Sequence, residues 1–343
     1  MATGVVVYGI LGDLPAAVRA LAGRWDAPVS DVDTRQTFTV QPGQSASDIG
    51  SDLYARNLIR SPIVFRMLVE ARGVGARIES GEYQLSPAMS TNEIITVLSR
   101  GASRRGVTLT IPEGWRAEQA AQKVEALGLA SSGDFLAVVR APSGIQLPDA
   151  LPPNQSLEGY LFPDTYEVDR NADARKLVEM MAQQFTRKLT PDLRRKAAER
   201  GLTVHQLVTV ASIVEREAAR PAERPIIASV YLNRLEIGMP LQADPTVQFA
   251  VANANLAEAT GYGFWKPELT RDDLQRSSPF NTYLNRGLPP GPICSPGLDT
   301  LEAVVAPANT DYYYFVARDD GSHAFAQTEP EHRHNVERYQ QGR

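Results

Sequence analysis

Phe38-Thr39-Val40-Gln41-Pro42-Gly43 and Leu109-Thr110-Ile111-Pro112-Glu113-Gly114 repeat one pattern 71 residues apart. In each, apolar and polar residues alternate as a short strand, and a proline and a glycine stop it in a turn. The likeness continues past the turn. Gly43, Ala46 and Leu53 correspond to Gly114, Ala117 and Val124 at the same offset, and Phe65 corresponds to Phe135 after one deletion. Ser45 or Ser47 is placed to cap the first helix, whose inward stripe is Ile49, Leu53 and Tyr54. A second helix spans Pro62–Ala71 with Phe65, Leu68 and Val69 inward, and Gly81–Leu85 returns as a strand. Ser90 then caps a helix carrying Ile94, Ile95 and Leu98. Two copies of a strand-turn-helix-helix unit do not make a solenoid, which needs at least three stacked repeats. Short strands mixed with helices predict an α+β protein.

Beyond Ala172 the pattern is mainly helical, over 172–188, 191–200, 203–219 and 222–237. Tyr312–Ala317, a turn at Gly321 and His323–Ala326 then read as a hairpin, and a polar helix over 330–340 ends the chain. Residues 23–36, with Pro28 and several aspartates, read as a linker.

Composition narrows the function. The chain has 343 residues, 43% of them apolar, and a net charge of −5 with the two signs interspersed. That length allows two or more domains. No basic block stands out, so no nucleic-acid partner is expected. The single cysteine, Cys294, excludes an internal disulfide and reads as a small buried thiol. The histidines His205, His323, His332 and His334 are too scattered for a metal site. His332 and His334 stand at i,i+2, whereas two ligands on one helix face stand at i,i+4, so a surface role is expected. No metal and no organic cofactor is implied. Val5–Leu11 is apolar but ends before Asp13, far short of the ~20 residues of a membrane span. It reads either as an ordinary N-terminal segment or as the tail of an anchor that begins upstream.

Chemistry is suggested by Ala211-Ser212-Ile213-Val214-Glu215-Arg216-Glu217, where apolar helix formers run into two glutamates. Leu207, Val210, Ala211 and Val214 share one face by helical spacing. Glu217 lies about 70° from the centre of that face and Glu215 about 90° away on the other side. Geometry alone therefore leaves both open. A carboxyl against an apolar surface holds its proton more tightly and can serve as an acid near neutral pH, then as a base. Three other segments could shape a cleft for it. Glu158–Tyr166 is dense in aromatic and polar groups, which suits a sugar-binding wall or a packed aromatic core. Asn281 and Tyr283 offer hydrogen bonds, and the Pro/Gly-rich stretch Leu288–Gly297 must be a rigid loop.

Glu158–Tyr166, Ala211–Glu217, Val230–Val247, Ser278–Gly297 and His323–Phe325 resemble, in order and spacing, the endolytic murein transglycosylase (YceG-like) family. The resemblance spans roughly 36–340. It implies three parts: an N-terminal segment 1–35, with a possible anchor remnant and linker; a LysM-like module over 36–102; and a catalytic domain over 103–343 with a mainly helical core and β-hairpins. It assigns catalysis to the second glutamate, Glu217. That residue would protonate the MurNAc–GlcNAc glycosidic oxygen and then accept the proton of the same MurNAc's C6 hydroxyl. The product is a 1,6-anhydro end, and no water is consumed. Motif matches make Glu158, Tyr160, Asp164, Asn233, Gln242, Asp244, Thr246, Asn281, Tyr283 and His323 candidates for binding sugar or orienting Glu217. The implied partners are peptidoglycan glycan strands and peptidoglycan synthases (penicillin-binding proteins). The implied place is the cell membrane, single-pass, with the catalytic domain outside. Two alternatives stand beside this reading. A two-carboxylate glycoside hydrolase would pair Glu217 with Asp244 or Asp164, and a non-catalytic wall-binding protein would use the N-terminal module alone.

Overall fold

The computed structural model describes residues 23, 25–99, 106–147, 151–153 and 155–340. The apolar segment Val5–Leu11 and the proposed boundary at 102/103 lie outside them. The chain divides into two compact units between Gly106 and Val107.

In the first unit, β1 (Gln36–Val40) leads into α1 (Ala46–Ala55) and α2 (Pro62–Ala71), and β2 (Gly81–Leu85) is followed by α3 (Thr91–Ser99). The strands pair antiparallel with Phe38 opposite Tyr83. Local chemistry sets the helix starts. Ser45 and Asp48 form a reciprocal capping box at α1, satisfying amides that have no intrahelical partner. Ser61 caps α2, with Pro62 in its first turn. Phe38, Leu53, Phe65, Tyr83, Ile94 and Leu98 are wholly buried and form the centre of the core. One expectation fails: Tyr54 is 53% exposed. It stands one residue, about 100°, from Leu53 on the wheel, which carries it off the stripe that Ile49 and Leu53 bury.

The second unit opens with the same plan. Here β3 (Val107–Thr110), α4 (Ala117–Ala126), α5 (Ser132–Arg140) and β4 (Thr165–Val168) follow in order, and β3 pairs antiparallel with β4, Leu109 opposite Tyr166. Phe135 and Val124 are wholly buried, as Phe65 and Leu53 are in the first copy. The second strand of each copy was not apparent as part of the repeat, yet the two correspond. Tyr83 and Tyr166 each bury the ring and donate the hydroxyl to the carbonyl four residues earlier, of Glu79 and of Phe162. Both turns need a left-handed glycine, with φ +81° at Gly43 and +74° at Gly114.

That pair gives a matched prediction. Gly43→Ala and Gly114→Ala each meet the left-handed backbone penalty, about 1–2 kcal/mol. Nothing lies within 4 Å of the Cβ added at Gly43, and at Gly114 it meets the Arg216 side chain at 3.4 Å, an ordinary contact distance. Losses of similar size are expected in urea unfolding, and a much larger loss at Gly114 would contradict the packing around it.

The rest of the second unit is helical: α6 (Ala174–Lys188), α7 (Pro191–Glu199), α8 (Val204–Glu217), α9 (Arg224–Glu236), α10 (Asp244–Ala254) and α11 (Leu298–Val305). The hairpin of β5 (Tyr314–Ala317) and β6 (His323–Ala326) follows, then α12 (Glu329–Gln340). Helix α8 is the central element. It starts at a Thr203–Gln206 capping box, is buried from Leu207 to Val214, and packs against α9, α10 and α11. The rigid loop is buried on it: the Ile293 amide donates to Ser212 Oγ at 3.0 Å, and Cys294 Sγ lies 3.3 Å from the Ser212 carbonyl. Cys294 is thus a packed thiol away from His323, whose ring pairs with Glu223.

Candidate active site

The last turn of α8 separates the two glutamates by what surrounds them. Glu215 has a nearly buried side chain with both oxygens engaged. Oε1 is 3.0 Å from Arg224 Nη2, while Oε2 accepts from the Gly297 amide at 3.1 Å and from Thr300 Oγ1 at 2.5 Å. That carboxylate is fully used in joining α8 to α9 and α11. Glu217 is half-buried and faces a cavity of about 420 Å³. Among the described residues it takes one bond, Tyr231 Oη donating to Oε1 at 2.8 Å. Burial pushes its pKa up to about 7, against the lowering effect of that bond, with the Asp244 charge adding to the rise. A carboxyl so placed is half protonated near neutrality and able to donate and retake a proton.

Helix α9 supplies two groups that sequence reasoning did not single out as site residues. Tyr231 is wholly buried, with its ring edge-on to Phe315 at 5.8 Å. Arg234, three residues on, also lines the cavity. Its guanidinium donates to the carbonyls of Tyr313 (2.6 Å) and Leu241 (2.5 Å), which fixes a positive charge near Glu217. The i,i+3 spacing of a tyrosine and an arginine after the glutamate pair was the available signal.

Of the candidates, Gln242, Asp244, Tyr283 and His323 line the same cavity as Glu217. Gln242 has φ +48°, an uncommon conformation for a non-glycine residue, and such strain clusters at functional sites. Its amide donates to the Thr282 carbonyl at 3.2 Å. Tyr283 Oη donates to Asp244 Oδ1 at 2.6 Å. His323 is held by Glu223, whose two oxygens meet its backbone N–H at 3.1 Å and its Nδ1 at 2.6 Å.

The other candidates brace the backbone or the core instead of lining that cavity. Asn233 Nδ2 donates to the carbonyls of Thr310 and Tyr312. Asn281 Nδ2 does the same for Leu274 and Arg276. Buried Thr246 bonds the Ala243 carbonyl and Thr282 Oγ1. Glu158 accepts from the Ala117 amide at the start of α4, and burial together with Glu118 raises its pKa. Tyr160 is 2% exposed and its hydroxyl meets His205 Nδ1 at 2.9 Å. Asp164 accepts from Gln184 Nε2 at 2.6 Å. The aromatic residues Tyr160, Phe162 and Tyr166 are therefore core packing, and the segment does not line the cavity that Glu217 faces. His332 departs from its expected surface role: it is half-buried, lines the cavity and stacks on Tyr314 at 5.1 Å. Its helix α12 packs on the hairpin, and desolvation there lowers its pKa.

Tyr231→Phe tests the Glu217 contact. Removing the donor takes away a bond that favours the carboxylate, so Glu217 should hold its proton to higher pH. The basic limb of the kcat/KM profile is expected to move upward, and an unmoved limb would count against Glu217 as the group that titrates.

Residues 38–338 match the model of the YceG-like family. The chain belongs to that family. Among curated proteins of the same kind, it is 33% identical over 322 residues to a protein of Bacillus subtilis (strain 168) named endolytic murein transglycosylase, covering 90% of this chain and 86% of that one. It is 31% identical to a Streptococcus pneumoniae (strain D39) protein of the same name, covering 88% of this chain but only 57% of that longer relative. A crystal structure of a YceG-like protein from Listeria monocytogenes aligns with a TM-score of 0.58 at 30% identity, over 88% of this chain and 99% of the other. The family match over residues 38–338 therefore takes in most of the described residues and extends across both units.

Proposed function

We propose that this protein is an endolytic murein transglycosylase, cutting the MurNAc–GlcNAc bond within glycan strands to leave 1,6-anhydro-MurNAc ends and so terminating strand elongation. The observation that carries the reading is the half-buried Glu217, held near pKa 7 on the wall of a polar cavity while Glu215 is spent on structure. The names of the relatives agree with it. As acid, Glu217 protonates the glycosidic oxygen, and the C1–O bond breaks. The C6 hydroxyl of the same MurNAc attacks C1 and gives up its proton to a base, which by family resemblance is the Glu217 carboxylate. Gln242, Asp244, Tyr283 and Arg234 provide the polar wall that orients the sugars.

In this reading the first unit is a LysM-like module that holds glycan. Its β-α-α-β order with a core of its own supports that assignment. The protein works outside the cytoplasmic membrane beside penicillin-binding peptidoglycan synthases, held by an N-terminal anchor. Among the described residues no helix is long and apolar enough to cross a membrane.

The test is mass spectrometry of fragments from uncrosslinked peptidoglycan strands. Internal fragments with 1,6-anhydro ends are expected. Reducing ends would instead indicate hydrolysis, with Asp244 as the second carboxylate. No cleavage by folded protein would leave glycan binding as its activity.

A further inference from the structure

Gln242 is a glutamine in a backbone conformation that suits glycine. Its φ of +48° lies in the left-handed region, which glycine enters freely and other residues enter against a steric penalty. The conformation is imposed from both sides. Leu241 and Ala243 are buried, and three backbone groups around Gln242 are tied down. The Leu241 carbonyl accepts from Arg234 Nη1 at 2.5 Å. The Gln242 amide donates to the Thr282 carbonyl at 3.2 Å, and the Ala243 amide donates to Thr282 Oγ1 at 3.0 Å. Strain of this kind persists only where the surroundings over-determine it, and an observed outlier points to function.

The clamp leaves the side chain free. Gln242 is exposed between its two buried neighbours and lines the cavity that Glu217 faces. Among the described residues its carboxamide has no hydrogen-bond partner within the protein. The wall around it is rich in acceptors and short of donors. Glu217 and Asp244 bear carboxyl groups, and the hydroxyl hydrogens of Tyr231 and Tyr283 already point at them. Arg234 has Nε and Nη1 on the carbonyls of Tyr313 and Leu241. Sugar hydroxyls can therefore donate to the carboxylates, whereas a strong acceptor on the substrate needs a donor, and Gln242 Nε2 offers one. In a glycan of N-acetylated sugars that acceptor is the acetamido carbonyl, which outranks hydroxyl and ether oxygens.

We propose that Gln242 reads N-acetylation: its Nε2 donates to the acetamido carbonyl of a sugar beside the cut bond, and the backbone clamp holds it there. The inference rests on the transglycosylase reading above and concerns the substrate that the same cavity accepts. A glycine at this position would relax the backbone but supply no donor. A de-N-acetylated sugar carries an ammonium group instead, which removes the acceptor and sets a donor against a donor.

The deciding variant is Gln242→Glu, which keeps the shape, replaces the donor with an acceptor oxygen and adds a negative charge. Parent, Gln242→Glu, Gln242→Gly and Gln242→Ala would be compared on N-acetylated and de-N-acetylated uncrosslinked strands, reading kcat/KM and, by mass spectrometry, the fragment ends. The parent is expected to prefer N-acetylated strands by about 10–100-fold. In Gln242→Glu that preference should vanish or reverse, because a carboxylate pairs with the ammonium and not with the carbonyl. Any effect of the new charge on Glu217 itself enters both rates, so their ratio isolates the contact. Gln242→Gly and Gln242→Ala should both lose most of the preference. Between those two, the glycine variant should unfold at the higher temperature, the reverse of the usual order, because alanine retains the strain at positive φ. A preference that survives unchanged in Gln242→Glu would overturn the proposal, as would a parent that cuts both kinds of strand equally. A glycine variant less stable than the alanine one would overturn it too, by removing the strain. Reducing ends, or no cleavage, from the folded parent would instead overturn the transglycosylase reading, so the two failures are distinguishable.

Discussion

Glu217→Gln is expected to abolish strand cleavage and leave a protein at least as stable as the parent. The amide keeps the shape and can still accept the Tyr231 hydroxyl, but it has no proton to give. General acid–base groups contribute about 10²–10⁴-fold, and the variant loses the acid outright, so the fall should reach at least that range. Stability should move the other way. Burial raises the Glu217 pKa from 4.5 to about 7, so the folded protein binds this proton more tightly than the unfolded chain. The contribution of Glu217 to stability is therefore most favourable below pH 4.5 and declines as pH rises through 7. Each pKa unit corresponds to ~1.4 kcal/mol. Solvent on the open side of the cavity screens part of that, so the variant should gain on the order of 1–2 kcal/mol at pH 8 and little at pH 4. Thermal unfolding at both values measures it. In the parent, kcat/KM should fall above pH 7 as Glu217 ionises. Cleavage retained by the folded variant would remove Glu217 from the mechanism.

How much of this could be read in the chain varies with the kind of information each residue carries. Helix α2 falls on Pro62–Ala71 as expected, because Ser61, Pro62 and the spacing of Phe65 and Val69 all lie within one local window. The repeat was legible for the same reason, up to the second helix. Its closing strands were not, because the segment that leads to β4 is longer than the one that leads to β2 and breaks the offset. Site residues depend on contacts distant in sequence. Two partners of Glu215, Gly297 and Thr300, lie more than 80 residues away, and the third, Arg224, stands on the next helix, so no wheel could reveal that its carboxylate was engaged. Asn233 and Asn281 are polar and sit within motif segments, yet a side-chain amide that satisfies two backbone carbonyls looks in sequence like one that awaits a sugar. Tyr160, Phe162 and Tyr166 show the same ambiguity for aromatics, which serve a core or a wall equally well until burial is known. His332 was misread because its exposure depends on where α12 docks, and a mostly polar helix gives little sign of that.

Glu215→Ala, two residues from the candidate acid, is expected to damage the fold and not the chemistry. The carboxylate joins three helices: it pairs with Arg224 on α9 and accepts from Gly297 and Thr300 at the start of α11. Removing it leaves the Arg224 guanidinium, 11% exposed, without its closest anion, and leaves a buried amide and hydroxyl unsatisfied. Breaking one side of a buried ion pair costs about 3–5 kcal/mol. Glu113 at 3.3 Å and Asp299 at 3.8 Å remain near Arg224 and offset part of that, which puts the expected loss near 3 kcal/mol. The same change should lower the pKa of Glu113, because the Glu215 charge is one of the causes of its rise. Glu215→Gln should be milder, since one oxygen still accepts while the charge is lost. Below its unfolding temperature each variant should still form 1,6-anhydro ends, because Glu217, Tyr231 and the cavity wall are untouched. Urea unfolding beside the fragment assay separates the two glutamates. Loss of chemistry in a folded Glu215→Gln protein, with stability unchanged, would exchange their roles and undo the assignment of acid to the second of the pair.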